Sequence, residues 1–253
     1  MKTAQFLLTQ FNIQVEFAGR RDRGIDDQWL THRFDLFENF CLPSVTAQSQ
    51  NDFIWLIEVD ERTPERWLSR LNEGLASWRG KAVIVPATED HAAQLTDAVA
   101  RIAADLQADR VITTRMDNDD AIAGNYLSDV ADTCRGLRSE GTFVIDYPCG
   151  CQFDRSGIFA VTLRMNPFLS VLSSRSDLRT AFYTRHRKMA QAGTVIEVMG
   201  NQPDPAMWMQ VFHSRNLKNR HPKKQVPIDE NRVHNFSLAQ NWKSFFLTER
   251  RPS

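Results

Sequence analysis

Three carboxylates lie within four positions of this sequence, at Asp117, Asp119 and Asp120. The apolar residues Val111 and Ile112 come just before them, and this order predicts a buried strand that ends in a polar turn. Carboxylates this close repel one another unless a cation lies among them. Hard oxygen ligands suit Mg²⁺ or Mn²⁺, and such an ion can hold the oxygens of a diphosphate, so the cluster predicts a metal site.

A purely structural interpretation of the same cluster competes with the metal site. Asp119 or Asp120 would cap a helix that begins near Ala121, because short polar side chains satisfy the first backbone N–H groups of a helix. A calcium-binding EF-hand loop is excluded. If Asp117 were its first residue, the sixth position, which must be glycine, would be occupied by Ile122. The position of the cluster relative to the predicted strands and helices distinguishes a metal site from a helix cap.

The composition is that of an ordinary globular protein. Its 253 residues include 31 Lys plus Arg and 31 Asp plus Glu, so the formal net charge of zero gives no indication of a nucleic-acid partner. No apolar run approaches the roughly 20 residues that a membrane span needs, and the N-terminal apolar patch is too short for a signal peptide, so we expect a cytoplasmic protein. The 4 cysteines are too few for a disulfide scaffold, and we expect reduced thiols.

Strands and helices alternate along the first half of the chain. Apolar runs predict strands at 6–13, 52–60, 81–86 and 110–115, and helical spacing predicts helices at 29–48, 63–78 and 91–106. This alternation predicts an α/β fold in which helices cover both faces of a mostly parallel sheet. Alternating apolar and polar residues beyond position 142 predict added antiparallel strands. The sequence has no Gly-x-Gly-x-x-Gly after its first strand, which argues against a dinucleotide-binding fold.

Polar residues follow three of these predicted strands. Phe11 and Asn12 come at the end of the first strand, Asp60 ends the second, and 117–120 follow the fourth. In a doubly wound sheet, ligands bind beyond the carboxyl ends of the strands. Three strand ends that supply polar groups to one edge predict a nucleotide pocket rather than a chance turn.

Four segments, taken in order, resemble a bacterial rhamnosyltransferase family; they are 33–48, 53–60, 114–121 and 208–220. This family is a branch of the glycosyltransferases with the type-A fold, and the resemblance spans about residues 5–220. It implies a Rossmann-like, mostly parallel central sheet with an antiparallel acceptor-side portion. It also implies metal-dependent transfer of a sugar, with rhamnose as the candidate, from a nucleotide-diphosphate donor to a saccharide or lipid-linked acceptor.

The resemblance further implies a division of the chain. The catalytic domain would cover 1–215, with a nucleotide-binding half at 1–135 and an acceptor-side half at 136–215. A basic and aromatic C-terminal extension would follow at 216–253. Each half would bind one of the two substrates.

On the donor side, the resemblance implies roles for five residues. Phe11, Asn12 and Asp60 would flank the base and ribose of the nucleotide. Arg33, in the first turns of a predicted helix, and Arg115, at the end of a predicted strand, would face the ribose or the diphosphate. In similar enzymes the first two strand ends flank the base and the ribose in this way.

A metal ligand set is also implied by the resemblance. Asp119 would be the main direct ligand, Asp117 would contact the metal or the ribose, and His213 would be a distal ligand at the end of a late strand. For His213 the alternative is a hydrogen-bonded core histidine. For Asp120 the alternatives are a share in the metal site or the cap of the next helix.

The leaving group and the acceptor need further residues. Arg215 and Arg220 are candidates to neutralise the leaving diphosphate, which a metal alone does incompletely. Displacement at the sugar carbon needs a general base for the acceptor hydroxyl. Asp204 is the candidate base because it directly precedes the final strand, where inverting relatives place an acid. The alternative for Asp204 is a structural role as the turn residue of Pro-Asp-Pro.

Two other classes of protein share parts of this pattern. A nucleotidyltransferase acting on sugar phosphates needs a Gly-rich loop with a basic residue right after its first strand, and here that position reads Thr9-Gln-Phe-Asn. A non-catalytic protein that binds nucleotide sugars would need the same pocket and no base. Transfer of a labelled sugar would distinguish a glycosyltransferase from a nucleotidyltransferase and from a non-catalytic binding protein.

The aromatic C-terminal segment has two interpretations as well. Trp242, Phe245 and Phe246 are spaced as on one face of a helix. They would either pack back onto the sheet or rest on the surface of the inner membrane, where lipid-linked acceptors would be met. Packing is favoured, because the segment is short and carries no dense basic face of its own.

Overall fold

The computed structural model describes residues 1–13, 16–17, 20–21, 24–88, 91–137, 140–198, 206–216 and 226–248. The strands are β1 (Thr3–Gln10), β2 (Glu16–Phe17), β3 (Arg20–Arg21), β4 (Ile54–Asp60), β5 (Lys81–Ala87), β6 (Arg110–Arg115), β7 (Ala121–Ile122), β8 (Phe143–Asp146), β9 (Cys149–Asp154), β10 (Gly157–Thr162), β11 (Ser170–Ser174), β12 (Thr194–Glu197), β13 (Trp208–Val211) and β14 (Val226–Pro227). The α-helices are α1 (Asp27–Leu36), α2 (Leu42–Thr46), α3 (Glu65–Leu75), α4 (His91–Asp105), α5 (Tyr126–Gly136) and α6 (Phe245–Thr248). A π-helix covers Phe37–Cys41, and 3₁₀-helices cover His186–Gln191, Glu230–Val233 and Trp242–Ser244.

The central sheet has seven strands in the order β12-β8-β11-β6-β1-β4-β5. The four strands of the first half, β6, β1, β4 and β5, are parallel to one another, and β11 is antiparallel to both β6 and β8. From β1 the chain builds β4 and β5 on one side and then crosses to β6 on the other. The carboxyl ends of β1 and β6 therefore flank a topological switch point, where open α/β sheets bind ligands. The predicted fold class is confirmed.

A second sheet, in the order β14-β10-β9-β13-β7, contains the antiparallel strands expected from the second half of the chain. Its edge strand β7 follows the acidic cluster directly and pairs with β13. The helix-capping alternative is therefore wrong. Residues Ala121 and Ile122 are extended, and the next helix, α5, begins only at Tyr126 with Asn125 in the N-cap position.

Side chains of the central strands alternate between two apolar layers. In β1, Leu7 points to the layer that holds α1 and α2, while Phe6 and Leu8 point to the layer that holds α4. Successive residues of a strand face opposite sides of its sheet, so one strand serves both layers. Helices therefore cover both faces, and the strand ends at the sheet edge are left for polar residues.

The long helix predicted at 29–48 is interrupted earlier than expected. The helix begins at Asp27, and the side chain of Asp26 caps it by accepting a hydrogen bond from the Trp29 N–H. A π-helical turn at Phe37–Cys41 interrupts it before Pro43. Proline lacks an N–H, and its ring clashes with the carbonyl four residues earlier, which is that of Asn39. That carbonyl instead accepts a hydrogen bond from the Ala239 N–H at 3.0 Å. The interruption thus anchors the C-terminal segment.

The aromatic residues of the C-terminal segment pack onto the fold. Phe245 and Phe246 are both buried, and the rings of Trp242 and Phe246 contact that of Phe153 with centroids 4.7 and 4.9 Å apart. The interpretation in which the segment folds back is confirmed. Each helix in the described part of the chain is too short or too polar to span a bilayer.

Deleting residues 236–253 should lower the melting temperature by roughly 10 °C or more. The deletion removes the buried rings of Phe236, Phe245 and Phe246, each of which contributes about 1.5 to 3 kcal/mol. Differential scanning calorimetry measures the change. An unchanged melting temperature together with lost co-sedimentation on anionic liposomes would instead favour a membrane-binding segment.

Burial of Glu58 should make stability depend on pH. Burial raises the pKa of Glu58 from 4.5 to about 7, and a hydrogen bond from Gln10 only partly opposes it. The folded protein therefore holds this proton more tightly than the unfolded chain does, so stability falls as pH rises from about 4.5 to about 7. The free energy of unfolding of Glu58→Gln should fall less between pH 5 and pH 8 than that of the unmodified protein. Urea unfolding at both pH values measures this, and Glu73→Gln, at an exposed glutamate, should behave like the unmodified protein.

Candidate active site

The acidic turn is tied to both strands at the switch point. The backbone N–H of Met116 donates to the Leu8 carbonyl at 3.0 Å, and the side-chain amide of Asn118 donates to the Phe11 carbonyl at 2.8 Å. The side chain of Asn118 is buried, so the hydrogen bond from its amide group takes the place of one that water would otherwise donate to the Phe11 carbonyl. The turn therefore takes a fixed position beyond the ends of β1 and β6.

Asp117, Asp119 and Asp120 come together as the sequence predicts, with one candidate ligand atom from each within 4.8 Å of the others. Asp119 and Asp120 are buried, whereas the side chain of Asp117 is 43% exposed. Asp120 accepts a hydrogen bond from the Val211 N–H at 2.9 Å, which ties the acidic turn to β13. The cluster is thus open on the side of Asp117 and closed behind Asp120.

Arg33 is the counter-ion of Asp119. Its Nη1 lies 2.7 Å from Asp119 Oδ2 and 3.3 Å from Asn118 Oδ1, and its guanidinium stacks on the Trp29 ring at 4.8 Å. Trp29 and Arg33 are four residues apart in α1 and therefore lie on the same face of that helix. The Nε of Arg33 is buried and has no hydrogen-bond partner among the described residues. The sequence predicted that Arg33 faces the donor, and the structure places it against the acidic cluster.

His213 contacts the same carboxylate oxygen of Asp119 as Arg33 does. Its Nε2 lies 2.9 Å from Asp119 Oδ2, and its Nδ1 accepts a hydrogen bond from the Arg215 N–H at 3.3 Å. Because Nδ1 accepts, we assign the hydrogen of the neutral ring to Nε2, which then donates to the carboxylate. The candidate ligand group among the described residues consists of the three aspartates, with His213 held next to it.

His32 extends this arrangement and was missed by sequence reasoning. Its Nε2 lies 3.1 Å from Nδ1 of His213, and its ring contacts that of Phe245 with centroids 5.6 Å apart. Burial, together with the charges of His213, Arg215 and Arg33, lowers the pKa of His32 to about 3, and the charge of Asp119 only partly opposes this shift. A neutral His32 thus connects the site to the C-terminal segment.

The two buried carboxyl groups differ in their protonation equilibria. Burial raises the pKa of Asp119, but Arg33 and His213 outweigh burial and hold the pKa well below its usual value. Burial, together with the charges of Asp119 and Asp117, raises the pKa of Asp120 well above its usual value. A bound divalent cation would relieve this repulsion, and an oxygen-only donor set fits Mg²⁺ or Mn²⁺. The residues present therefore fit the predicted metal.

Three predicted donor contacts lie at the expected strand ends but are already engaged. Phe11 is buried and packs edge-on against Phe37 with ring centroids 5.1 Å apart. The side-chain amide of Asn12 donates to Thr63 Oγ1 at 2.8 Å and accepts from the Asp60 N–H at 3.0 Å. Asp60 pairs with Arg62, Nη2 to Oδ2, at 2.6 Å. In this arrangement Phe11 and Asn12 are buried against other parts of the protein.

The predicted basic residues surround the cluster unevenly. Arg115 Nη2 lies 3.5 Å from Asp117 Oδ1, and the guanidinium stacks on Phe182 at 4.6 Å. Arg215 is exposed and donates to the Gln28 carbonyl at 2.9 Å, close to the start of α1. Asp204 and Arg220 lie outside the described residues.

Sequence reasoning could have found some of the missed contacts. Asn118 lies inside the acidic motif, and His32 directly precedes Arg33. Trp29 lies four residues before Arg33, which is the spacing of stacked side chains on a helix. No local pattern points to Phe245, because its approach to His32 depends on the path of the C-terminal segment.

The sequence matches one known family, and the chain is similar to several solved structures. A family model described as putative rhamnosyl transferase matches residues 7–225, whereas no curated protein matches. Among solved structures, the chain is similar to a nucleotide-diphospho-sugar transferase, described as putative, from Desulfovibrio desulfuricans (9% identity, TM-score 0.41, 78% of this chain and 79% of that chain). It is also similar to a cytidylyltransferase from Leptospira borgpetersenii (11%, 0.43, 81% and 78%). A third similar structure is 4-diphosphocytidyl-2C-methyl-D-erythritolsynthase from Anaerococcus prevotii (12%, 0.42, 79% and 88%).

The family match covers most of the chain, including the acidic turn and the residues that surround it. It begins inside β1 and extends beyond β13, so it contains Arg33, Asp119 and His213. It also agrees with the resemblance found in the sequence. The chain belongs to the rhamnosyl transferase family and is a glycosyltransferase.

Proposed function

We propose that this protein is a metal-dependent glycosyltransferase that moves a sugar, with rhamnose as the candidate, from a nucleotide-diphosphate donor to a saccharide or lipid-linked acceptor. One observation carries the proposal: three carboxylates meet within 4.8 Å at the switch point of the sheet. A site of this kind suits a divalent ion and the diphosphate bound to it. The reaction would take place in the cytoplasm, at the inner membrane surface if the acceptor is lipid-linked.

Asp117 and Asp119 would hold Mn²⁺ or Mg²⁺, with Asp120 behind them. Such an ion, when bound, neutralises charge that develops on the leaving diphosphate. Arg33 and His213 keep Asp119 ionised and oriented through contacts of 2.7 and 2.9 Å. We keep His213 as a candidate ligand, which would require the hydrogen of its neutral ring to move from Nε2 to Nδ1, so that Nε2 could bind the ion.

The donor would lie along the carboxyl edge of the sheet. Asp60 at the end of β4 would face the base or ribose, with Phe11 and Asn12 supporting the pocket wall. Arg115, next to the partly exposed Asp117, and Arg215, next to His213, would contact the phosphates. Arg220 is a further phosphate-binding candidate. Cations on both sides of the metal-binding carboxylates would reduce the charge of the leaving group.

The acceptor side of the proposal concerns the second half of the chain. The catalytic domain would cover 1–215, and the extension 216–253 would pack against it through the contact between Phe245 and His32. Asp204 remains the candidate base that would take the proton from the acceptor hydroxyl. A nucleotidyltransferase or a non-catalytic sugar-nucleotide binder would use the same metal site without this base.

A thermal-shift panel tests the donor site directly. UDP, GDP, TDP and CMP are each added with and without Mn²⁺, and one diphosphate should raise the melting temperature only when Mn²⁺ is present. Transfer of a radiolabelled sugar from the matching nucleotide sugar then tests catalysis. No stabilisation by any nucleotide would contradict the proposed donor site, and stabilisation without transfer or hydrolysis would favour the non-catalytic alternative.

A further inference from the structure

A cleft of about 550 Å³ lies outside the acidic cluster, between the β9–β10 hairpin and the C-terminal segment. Its floor is aromatic and apolar and includes Phe153, Trp242 and Phe246. Phe153 and Phe246 are buried, whereas Trp242 is partly exposed. Of these three rings only that of Trp242 is partly accessible, and a flat aromatic ring suits the apolar face of a sugar ring.

The rim of the cleft is basic. Arg155 in the hairpin turn and Lys243 in the C-terminal segment both line it, and both side chains are exposed. The acidic residue of the rim, Asp154, directs its Oδ1 into the turn, where it accepts from the N–H and the hydroxyl of Ser156 at 2.7 and 2.5 Å. Lys243 Nζ lies 5.7 Å from the centroid of the Trp242 ring, so cation and aromatic face are adjacent. The surface therefore combines a platform for sugar rings with cations that attract an anion.

Strand topology places this cleft next to the candidate active site. Strands β9 and β13 are parallel, and Phe153 is the register partner of Val211. Their carboxyl ends therefore lie at the same edge of the second sheet, so the cleft and His213, two residues beyond Val211, are neighbours. With about 3.3 Å per residue along a strand and about 5 Å between strands, the Cα atoms of Phe153 and His213 are separated by roughly 8 Å.

Ring contacts connect the two sites in a second way. Phe246 contacts Phe245 with centroids 5.2 Å apart, and Phe245 in turn contacts His32 beside His213. These linking phenylalanine rings are buried, so an oligosaccharide that rests on Trp242 would have to run along the surface above them to bring a hydroxyl to the metal-binding carboxylates.

We propose that this cleft is the acceptor subsite and that it binds an oligosaccharide carrying a carboxylate or a phosphate. The proposal rests on the proposed function for its assignment to the acceptor. The aromatic floor supports the sugar rings, and Arg155 and Lys243 bind the anionic group. The class of acceptor is thereby narrowed from any saccharide to an acidic one.

Isothermal titration calorimetry with three probes tests this subsite. Trigalacturonate carries carboxylates, maltose 1-phosphate carries a phosphate, and maltotriose is neutral. At least one acidic probe should bind more tightly than maltotriose, and the tighter of the two identifies the anion. Replacement of both cations, Arg155→Gln with Lys243→Gln, should weaken binding of that probe by about tenfold or more. Trp242→Ala should weaken binding of all probes that bind.

Lys81→Gln, at an exposed lysine at the start of β5, is the matched control and should bind the probe like the unmodified protein. Stabilisation by nucleotide with Mn²⁺ should be unchanged in the Arg155/Lys243 variant, which separates this subsite from the donor site. If that stabilisation is missing even in the unmodified protein while acidic probes bind as expected, the proposed function fails and the saccharide site stands.

Any of three results would overturn the proposal. The first is that none of the probes binds, the second is that the neutral probe binds as tightly as the acidic ones, and the third is that the double variant binds the acidic probe as tightly as the unmodified protein does. Loss of co-sedimentation with anionic liposomes in the double variant, with no saccharide binding in the unmodified protein, would assign the two cations to a membrane surface instead.

Discussion

Asp119→Asn should abolish the Mn²⁺-dependent stabilisation by nucleotide diphosphates and lower sugar transfer by roughly 100-fold or more. The substitution keeps the size of the side chain but removes the charge of one carboxylate of the cluster. That carboxylate is the one that Arg33 and His213 both contact. Thermal shift with nucleotide and Mn²⁺ measures binding, and transfer of a labelled sugar measures the reaction.

The same substitution has a cost for the fold that the sequence alone did not predict. With an amide at position 119, the buried guanidinium of Arg33 loses its counter-ion, and an unpaired buried charge is strongly destabilising. The double variant Asp119→Asn, Arg33→Met removes both charges and should recover part of the lost stability. Asp132→Asn, in α5 and away from the cluster, is the control and should leave stabilisation by nucleotide unchanged. Mn²⁺-dependent nucleotide binding that persists in a folded Asp119→Asn variant would contradict the metal site.

The positions of strands and of the acidic turn could be predicted because they depend on local pattern. Apolar runs mark β1, β4, β5 and β6, and parallel strands with crossover helices bring their carboxyl ends to one edge. A polar residue at a strand end is thereby assigned to the pocket before its contacts are known. The prediction that Asp117, Asp119 and Asp120 come together needed nothing beyond this.

Contacts between distant segments could not be predicted in the same way. Arg33 meets Asp119 across 86 positions, and His32 meets His213 across 181. These pairs depend on how α1 is rotated about its axis and on where β13 joins the second sheet. The rotation of α1 is visible in the sequence only as spacing. The pairing of β13 with β7 is set by a two-residue strand too short to recognise.

The helix interruption shows how a local rule can have a distant result. Pro43 predicts a break in the helix, and the break is present as the π-helical turn before it. Because of this break, Asn39 presents its carbonyl to Ala239, almost at the other end of the chain. The C-terminal segment then brings Phe245 against His32. Sequence reasoning could place the break but could not identify its partner.

Arg33→Met should lower the free energy of unfolding by about 3 to 5 kcal/mol in the absence of metal. It leaves the buried carboxylate of Asp119 without its cation, although His213 still donates one hydrogen bond to it. Because Arg33 and a divalent ion would both neutralise Asp119, Mn²⁺ should raise the melting temperature of the variant more than that of the unmodified protein. Urea unfolding and thermal shift, each with and without Mn²⁺, measure the two effects.

Arg70→Met is the matched control for the loss of an arginine from this region. Arg70 in α3 also pairs with carboxylates and stacks on an aromatic ring, but its partners are Glu38 at 2.7 Å and Asp35 at 3.6 Å, and its side chain is 33% exposed. Because an exposed pair contributes at most about 1 kcal/mol, this variant should lose little stability and gain nothing extra from Mn²⁺. An equal rise in melting temperature with Mn²⁺ in all three proteins would show that Arg33 does not occupy the place of the cation. A larger rise confined to Arg33→Met would show that the chain holds its metal site together with an arginine until the ion arrives.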